Sequence, residues 1–457
     1  MSTNNLLDQP ILRIRATAVP PHAGRIFGDR ETSKIPVGFV MLFDVAKNKP
    51  LTLFHQFLIE FAVRGRSKFE DWKNTEEAYA DDGGNFAAFL YYRGKTLETA
   101  TFTDLTSYAE TLGAAISSNT GREFAASSRS RRVGTLVSFY EWAFNRGSID
   151  RVMPVRDSGR RPASLRSHWT QSRAQDRVRQ LTPSGSGLGE KIKLIPINLL
   201  QRALDLMGPK VGERVPYGPS CRDRLVAETG YGTGARVSSI ADINMIDVLN
   251  AEKLIDPDDP NQLQIIRVRT KGPAPKLILV PQSILKKWLS YIRGERAEIC
   301  REVVKRFGCN RHISSKLFLN LITSNDRDIG RAASKDTLSR AFTIAVMRAG
   351  GITQERRARL DHNGETVCDN HGDMVWYYHD AAANTFHHLR HTYVVMTYHA
   401  MKKAGHKNPW KTISEAIGHK HIATTIDTYA KHVAIDEGEL GDAVGALLSS
   451  LDGEIAR

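Results

Sequence analysis

Residues 384–393 read Asn384-Thr385-Phe386-His387-His388-Leu389-Arg390-His391-Thr392-Tyr393, and residues 417–429 read Ile417-Gly418-His419-Lys420-His421-Ile422-Ala423-Thr424-Thr425-Ile426-Asp427-Thr428-Tyr429. The first stretch predicts a helix with Asn384 or Thr385 as its N-cap, because a side-chain oxygen there accepts an orphan backbone N–H. At about 100° per residue, His387, Arg390 and His391 share one face, and Leu389, Tyr393 and Met396 share the opposite, buried one. Groups that carry charge or protons therefore gather on one side of a helix anchored by the other. That grouping suits a multiply charged oxyanion, most simply a phosphate.

Upstream, residues 229–239 read Thr229-Gly230-Tyr231-Gly232-Thr233-Gly234-Ala235-Arg236-Val237-Ser238-Ser239. Glycines allow a tight turn that projects Arg236 from a fixed place. An arginine alone in such a position is most often a surface residue. Residues 263–281 predict a β-hairpin: Ile266, Val268 and Thr270 alternate with Arg267, Arg269 and Lys271, and Leu277-Ile278-Leu279-Val280 returns after Gly272-Pro273-Ala274-Pro275. Alternation places Arg267, Arg269 and Lys271 on one face, with Lys271 at the tip. Protection of a strand edge by charge accounts for Arg267 and Arg269 better than for Lys271.

In order, an arginine in a glycine-rich turn, a Lys-Gly hairpin tip, His-x-x-Arg, and Gly-His followed by a tyrosine resemble the C-terminal signature of the tyrosine recombinases, the phage-integrase family. The resemblance covers residues of about 191–435 well and 50–150 loosely. It implies a fold that is mainly α with a small β-sheet or hairpin, a helical core-binding DNA domain followed by an α+β catalytic domain. It implies Arg236, Lys271, His387, Arg390, His419 and Tyr429 as the catalytic set. Tyr429 would attack a backbone phosphorus, giving a 3′-phosphotyrosine and a 5′-hydroxyl. Arg236 and Arg390 would clamp the non-bridging oxygens, since guanidinium is always charged and bidentate. Lys271 would protonate the leaving 5′ oxygen. His387 is the candidate base, because a phenol with a pKa near 10 needs proton removal or an electropositive site. His419 would hydrogen-bond the phosphate or help move a proton. The bond energy is kept in the adduct, so no cofactor is implied. Ser239 stands where the family usually has an acid. His388 and His391 match no position of the set, with His391 a candidate buttress.

Lys and Arg total 64 against 50 Asp and Glu, a net charge of +14 with a pI near 9.6, which favours a polyanionic partner. Four cysteines in 457 residues make no disulfide framework and point to a reducing compartment. The start, Met1-Ser2-Thr3-Asn4-Asn5, lacks a basic segment followed by an apolar one, so no secretory signal is expected. No apolar run is long enough to span a bilayer. The expected location is cytoplasmic and nucleoid-associated.

The length predicts two or three domains. Residues 1–48 read as an N-terminal extension with scattered Arg13, Arg15, Arg25 and Arg30, an arm along DNA or a solvated tail. Residues 49–150 read as a helical core-binding domain. Leu53, Phe54, Phe57, Leu58 and Phe61 recur at helical spacing, and further helices are expected over Asn85–Tyr92, around Leu105, Tyr108 and Leu112, and from Arg129 to Phe144. The last carries Val133, Leu136, Val137, Tyr140 and Phe144 as its apolar stripe. Arg129, Arg131 and Arg132 crowd its first turn, where the helix dipole favours acids; a DNA phosphate accounts for them, and so does solvation. Residues 151–190 form a basic interdomain linker that includes Arg160 and Arg161, read as a strap across the DNA backbone or as a disordered basic connection. Residues 191–435 form the catalytic domain, with helices around Leu199 to Leu204, Leu225 and Val226, Leu285 to Ile292, and Leu338 to Val346. Residues 436–457 form an amphipathic tail helix striped by Leu440, Val444, Leu447, Leu448 and Leu451, docking in cis or on a neighbouring protomer.

Two Cys-x-x-His pairs, Cys309/His312 and Cys368/His371, could hold a structural zinc if they meet in space, outside the chemistry proper. A metal-dependent phosphodiesterase built on His387, His391 and His419 is a rival, but two-metal sites want carboxylates, and the nearest are Glu415 and Asp427. Other rivals are a type IB topoisomerase-like enzyme and a non-catalytic DNA-binding relative. The leading expectation is a site-specific recombinase of a phage or other mobile element. It would act on double-stranded DNA as a homotetramer, with accessory DNA-bending proteins as candidate partners and no membrane.

Overall fold

A computed structural model gives the fold over residues 10–17, 36–64, 72–149, 192–259, 262–268, 276–310, 312–419, 421–430 and 432–433. In chain order its strands and first helices are β1 (Ile11–Arg15), β2 (Val40–Asp44), β3 (Lys49–Pro50), α1 (Thr52–Phe57, continued as π-helix over Leu58–Arg64), α2 (Trp72–Tyr91), α3 (Phe102–Ala114) and α4 (Ala126–Asn145). Then follow α5 (Ile197–Met207), α6 (Arg222–Thr233), α7 (Val237–Ala241), α8 (Met245–Glu252), β4 (Leu263–Val268), β5 (Lys276–Pro281), α9 (Gln282–Tyr291), α10 (Ala297–Phe307), α11 (Lys335–Arg348), β6 (Ile352–Ala358), β7 (Trp376–Ala382), α12 (Phe386–Lys403) and α13 (Pro409–Ala416). A last helix, α14, covers residues 422–430. The architecture is thus mainly helical with small antiparallel sheets, as the sequence predicts.

The chain divides into two compact units. Over the described residues, the first holds residues 10–149 together with Arg356–His379. Its helices close on Leu42, Phe54, Phe57, Phe86, Leu136 and Phe139, with the Phe54 and Phe139 rings 4.9 Å apart. The stretch read as an extension supplies β1 and β2, which pair antiparallel with Ile11 opposite Asp44, and their Ile11, Val40 and Leu42 enter the same core. α2 begins well before Asn85. Its buried face includes Glu76, which accepts the Val40 N–H at 2.8 Å, and Asp82, so the apolar rhythm is broken where the helix is most buried. α3 and α4 lie where the spacing puts them. Phe61 and Phe144, expected inside, are exposed; Trp142 and Phe139 take the core instead. Within Arg356–His379 the chain makes two similar turns. Asp361 Oδ1 accepts the N–H groups of Asn363 and Glu365, and Asp369 Oδ1 accepts those of His371 and Asp373. Ala358 N–H donates to the Gly121 carbonyl at 2.7 Å.

The second unit holds the rest. Leu225, Val226, Leu285, Trp288, Phe342, Phe386 and Leu389 form its main core, and the Trp288 indole N–H donates to Thr229 Oγ1 at 2.9 Å. β4 and β5 form the expected hairpin, with Ile266 opposite Ile278 and Val268 opposite Lys276. Ile266, Val268, Ile278 and Val280 face the core, and Arg267 faces solvent. A smaller apolar cluster gathers Val394, Val395, Tyr398, Ile413, Ile417, Tyr429 and Val433. α12 is therefore covered on two sides, by the main core at Phe386 and Leu389 and by this cluster further along. Met396, expected beside Leu389, is left on the open side and is exposed, as is Ile344 on α11.

No helix among the described residues is long and apolar enough to cross a membrane. Arg160, Arg161, Arg269, Lys271, the linker 151–190 and the tail helix 436–457 lie outside the described residues.

Candidate active site

Three local structures bring the site together inside the second unit. The first is the turn after α6. Gly234 closes that helix at φ +63°, a left-handed conformation that costs a side-chain-bearing residue, and a Cβ there would lie 2.4 Å from the Tyr393 ring. Gly230, one turn earlier, lets the Phe386 ring of α12 approach within what would be 2.9 Å of a Cβ. The chain then extends at Arg236, whose carbonyl accepts the N–H groups of Ser239 and Ile240 as α7 begins. The side chain of Arg236 leaves from this fixed corner into an open pocket lined also by Ser239, Leu277, Ile278, Arg390 and Ile417.

The second is the start of α12. Thr385 is its extended N-cap, and its N–H donates to His388 Nδ1 at 3.1 Å, the reciprocal half of a capping box. Burial, then the charges of Lys193 and His387, lower His388 to about 4, so the ring is neutral at neutral pH, and the Thr385 N–H makes Nδ1 the acceptor. His388 is thus occupied with holding the helix. Arg390 is buried and donates to the carbonyls of Gly234 and Ile417, both at 2.8 Å. Burial and then the neighbouring Arg236 charge lower it to about 10, which leaves it protonated at neutral pH. Two cations thus face one pocket, and the groups that stabilise Arg390 are the tyrosines Tyr429 and Tyr393, not a carboxylate. Such a pair calls for an anion from outside.

The third is the run from α13 into α14. His419 follows the left-handed Gly418 and its Nδ1 meets Thr425 Oγ1 at 2.8 Å. Tyr429 is 1% exposed, its ring seated in the small apolar cluster. Its hydroxyl lies 2.9 Å from His391 Nδ1 and within reach of the Arg390 guanidinium. Burial raises the phenol above its ordinary value, and the Arg390 and Arg236 charges offset part of that. Burial, then the charges of His387, His388, Arg390 and His432, lower His391 to about 3. His387 is exposed on α12, its ring edge-on to that of His391 with centroids 4.6 Å apart.

Of the expected catalytic residues, Arg236, Arg390 and Tyr429 therefore converge, with His387 one ring removed and His419 on the loop that leads to Tyr429. His391, expected from the sequence only as a candidate buttress, is the residue that meets the Tyr429 hydroxyl. Its signal is its place one turn after His387 on the face already singled out.

The arginines expected on DNA are placed less uniformly. Arg131 reaches the buried Asp82 at 2.5 Å, and Thr135 donates to the same carboxylate at 2.8 Å. The Arg132 side chain is only 13% exposed, 3.9 Å from Asp82 and 4.5 Å above the Phe124 ring, so it serves the first unit's interior. Arg129 is half-buried beside Gly113, and Arg267 is exposed on β4.

The zinc option on Cys309, His312, Cys368 and His371 is corrected. Among the described residues no three His, Cys, Asp or Glu side chains gather as a metal site. Cys309 and His312 follow α10 in the second unit, where the exposed His312 sets its ring against that of Phe307, centroids 5.2 Å apart. Cys368 and His371 belong to the first unit, in the surface turn whose Asp369 carboxylate accepts the His371 N–H at 2.8 Å. Both cysteines are exposed. Neither pair by itself supplies the four ligands of a tetrahedral site.

No family model matches the chain. Over 225 residues it is 24% identical to the tyrosine recombinase XerD of Agrobacterium fabrum (strain C58), a match that covers 49% of this chain and 55% of that protein. The chain thus spans about half the length of the curated relative it matches. Among solved structures it is similar to a lambda integrase dimer bound to a COC′ core site, at 14% identity and a TM-score of 0.43, covering 82% of this chain and 93% of that one. It is also similar to the Tn1549 transposon integrase in complex with transposon right end DNA, at 14% identity and a TM-score of 0.45, covering 85% and 98%. The curated relative that the chain resembles is a tyrosine recombinase, and in this chain a pocket is flanked by Arg236 and Arg390 with the Tyr429 hydroxyl beside the second arginine.

Proposed function

We propose that the chain is a site-specific DNA recombinase that cuts and rejoins DNA through a 3′-phosphotyrosine at Tyr429. The observation that carries this reading is the meeting of two guanidinium groups at one pocket with a buried phenol beside them. A phosphodiester seated between Arg236 and Arg390 would have its non-bridging oxygens neutralised while the phenol lies alongside. Preorganised donors of this kind each contribute about 10²–10³ in rate. Lys271, which the sequence alternation expects at the hairpin tip, is assigned the protonation of the leaving 5′ oxygen, and His387 and His419 the phosphate and its proton traffic. No step needs a metal or a nucleotide.

The substrate is proposed to be double-stranded DNA at paired specific sites, with a homotetramer as the working assembly, and a phage or other mobile element as the setting. Arg267 on β4, Arg131 on α4 and the arginines of residues 151–190 are the proposed backbone contacts. The helical first unit is proposed as the core-binding domain and the second unit as the catalytic one.

Trapping on a nicked suicide duplex tests the reading. The chain should become covalently attached to a 3′ end, the attached peptide should contain Tyr429, and Tyr429→Phe should bind the duplex but form no adduct. An adduct that persists in Tyr429→Phe would end the assignment.

A further inference from the structure

We propose that His391 Nδ1, rather than His387, receives the Tyr429 hydroxyl proton as the phenol attacks phosphorus, and returns it when the strands are rejoined. The inference rests on the recombinase reading of Tyr429 and adds to it the group that makes the phenol reactive.

Tyr429 is 1% exposed, so its proton needs an acceptor within the protein. His391 Nδ1 is 2.9 Å from the hydroxyl, inside the range in which a general base works. The other polar neighbour, Arg390, carries only donors. The hydroxyl oxygen can accept from Arg390, but its single proton must go to an acceptor, and Nδ1 is the one beside it. This sets the imidazole tautomer: the ring proton sits on Nε2 and the Nδ1 lone pair faces Tyr429.

The groups around His391 keep it in that form. His387, His388 and Arg390 act on it from its own helix, and His432 from the segment beyond Tyr429. All four are basic, and together with burial they hold the ring neutral in the free protein. A DNA phosphate entering between Arg236 and Arg390 reverses the balance, because its negative charge stabilises an imidazolium. The base is therefore available beforehand and gains proton affinity when substrate arrives. His387 stands exposed, its ring edge-on to that of His391.

The step balances. The Tyr429 O–H bond breaks and an N–H bond forms at Nδ1. The freed oxygen electron pair makes the O–P bond. The P–O5′ bond breaks with its pair on the 5′ oxygen, which takes a proton from the general acid assigned to Lys271. Rejoining reverses each change.

Single-turnover adduct formation on the nicked duplex tests this in the full chain, with folding and duplex binding checked for each variant. His391→Ala should slow the reaction about 10²–10⁴-fold at neutral pH. His391→Asn keeps a hydrogen-bond acceptor but cannot take the proton, so it should be comparably slow. In both variants the rate should climb with pH, because hydroxide must do what the imidazole did; the unaltered chain should be nearly flat from pH 6 to about 9. A fluorinated tyrosine at position 429, a stronger acid, should recover much of the loss in His391→Ala. Three results overturn the proposal. His391→Asn could react within about twofold of the unaltered chain. Either variant could be slow at every pH with no recovery by the fluorinated phenol, which would make His391 a packing residue. Or the unaltered chain could form no Tyr429 adduct, in which case the proposed function falls first and this step with it.

Discussion

Arg390 on α12 and Gly234 at the end of α6 are joined by a 2.8 Å hydrogen bond from guanidinium to carbonyl. The residue proposed to bind the phosphate is thereby also the residue that fixes the corner from which Arg236 emerges. Its second donor group does the same for Ile417, just ahead of His419. One side chain therefore ties together the three segments that make the site.

Replacing Arg390 should accordingly hurt both chemistry and stability. In Arg390→Ala two buried carbonyls lose their partner, which costs about 1–3 kcal/mol each. Adduct formation should fall by about 10²–10³ or more. Arg390→Lys keeps a charge but cannot span both carbonyls, so it should restore stability only in part and rate hardly at all. Urea unfolding and single-turnover cleavage measure the two effects separately.

Gly234→Ala should be destabilising out of proportion to one methyl group. The left-handed conformation alone costs an L-residue about 1–2 kcal/mol, and the added Cβ would sit 2.4 Å from the Tyr393 ring. The corner would have to shift, so cleavage should drop while DNA binding by the first unit is kept. Chemical denaturation and a mobility shift on the same sample would check this.

The arginines should separate into two classes. Arg267→Ala should leave unfolding unchanged, weaken duplex binding evenly across sequences and lower the salt slope by about 1. Arg132→Ala should do the opposite. Asp82 loses a neighbouring charge and Phe124 loses its guanidinium, so the first unit should lose about 1–2 kcal/mol. Fluorescence anisotropy over a salt series, alongside denaturation, distinguishes them.

The stability of the first unit should depend on pH through Glu76. Burial raises this carboxyl from its ordinary 4.5 to about 7, against the Val40 N–H that lowers it. Between those two values the folded form keeps a proton that the unfolded chain releases, so stability falls as pH rises from 4.5 to 7. The interval corresponds to about 3 kcal/mol. Glu76→Gln retains an acceptor for Val40 without a charge, so it should remove most of that slope and be relatively more stable at about pH 8 than at about pH 5. Thermal unfolding at the two pH values reads it out.

What can be read from sequence is what is local. The glycine corner before Arg236, the alternation over residues 263–281 and the capped helix at Thr385 each depend on neighbours a few residues away, and all three appear. The early part of α2 is hidden because Glu76 and Asp82 lie on its buried face, where a polar residue reads as solvent-facing. β1 and β2 escape because a strand pair separated by a long connection has no local signature. Met396 shares a helix face with Leu389 on a wheel, but that face is covered only at its first turn. The Cys-x-x-His spacing at Cys309/His312 and Cys368/His371 is equally local, and it says nothing of whether two such pairs meet. The contact of His391 with Tyr429 joins residues 38 positions apart, so the sequence supplies the face without the partner.

Arg356–His379 clusters with the N-terminal helices although it is encoded between α11 and α12. A fragment stopping near residue 150 would leave the Gly121 carbonyl without the N–H of Ala358, and one starting near residue 190 would carry Arg356–His379 away from its own unit. Grafting the front of this protein onto a relative's back half at one join would therefore split a folded body; the two parts are interleaved in the gene, and a chimaera that respects them needs more than one crossover.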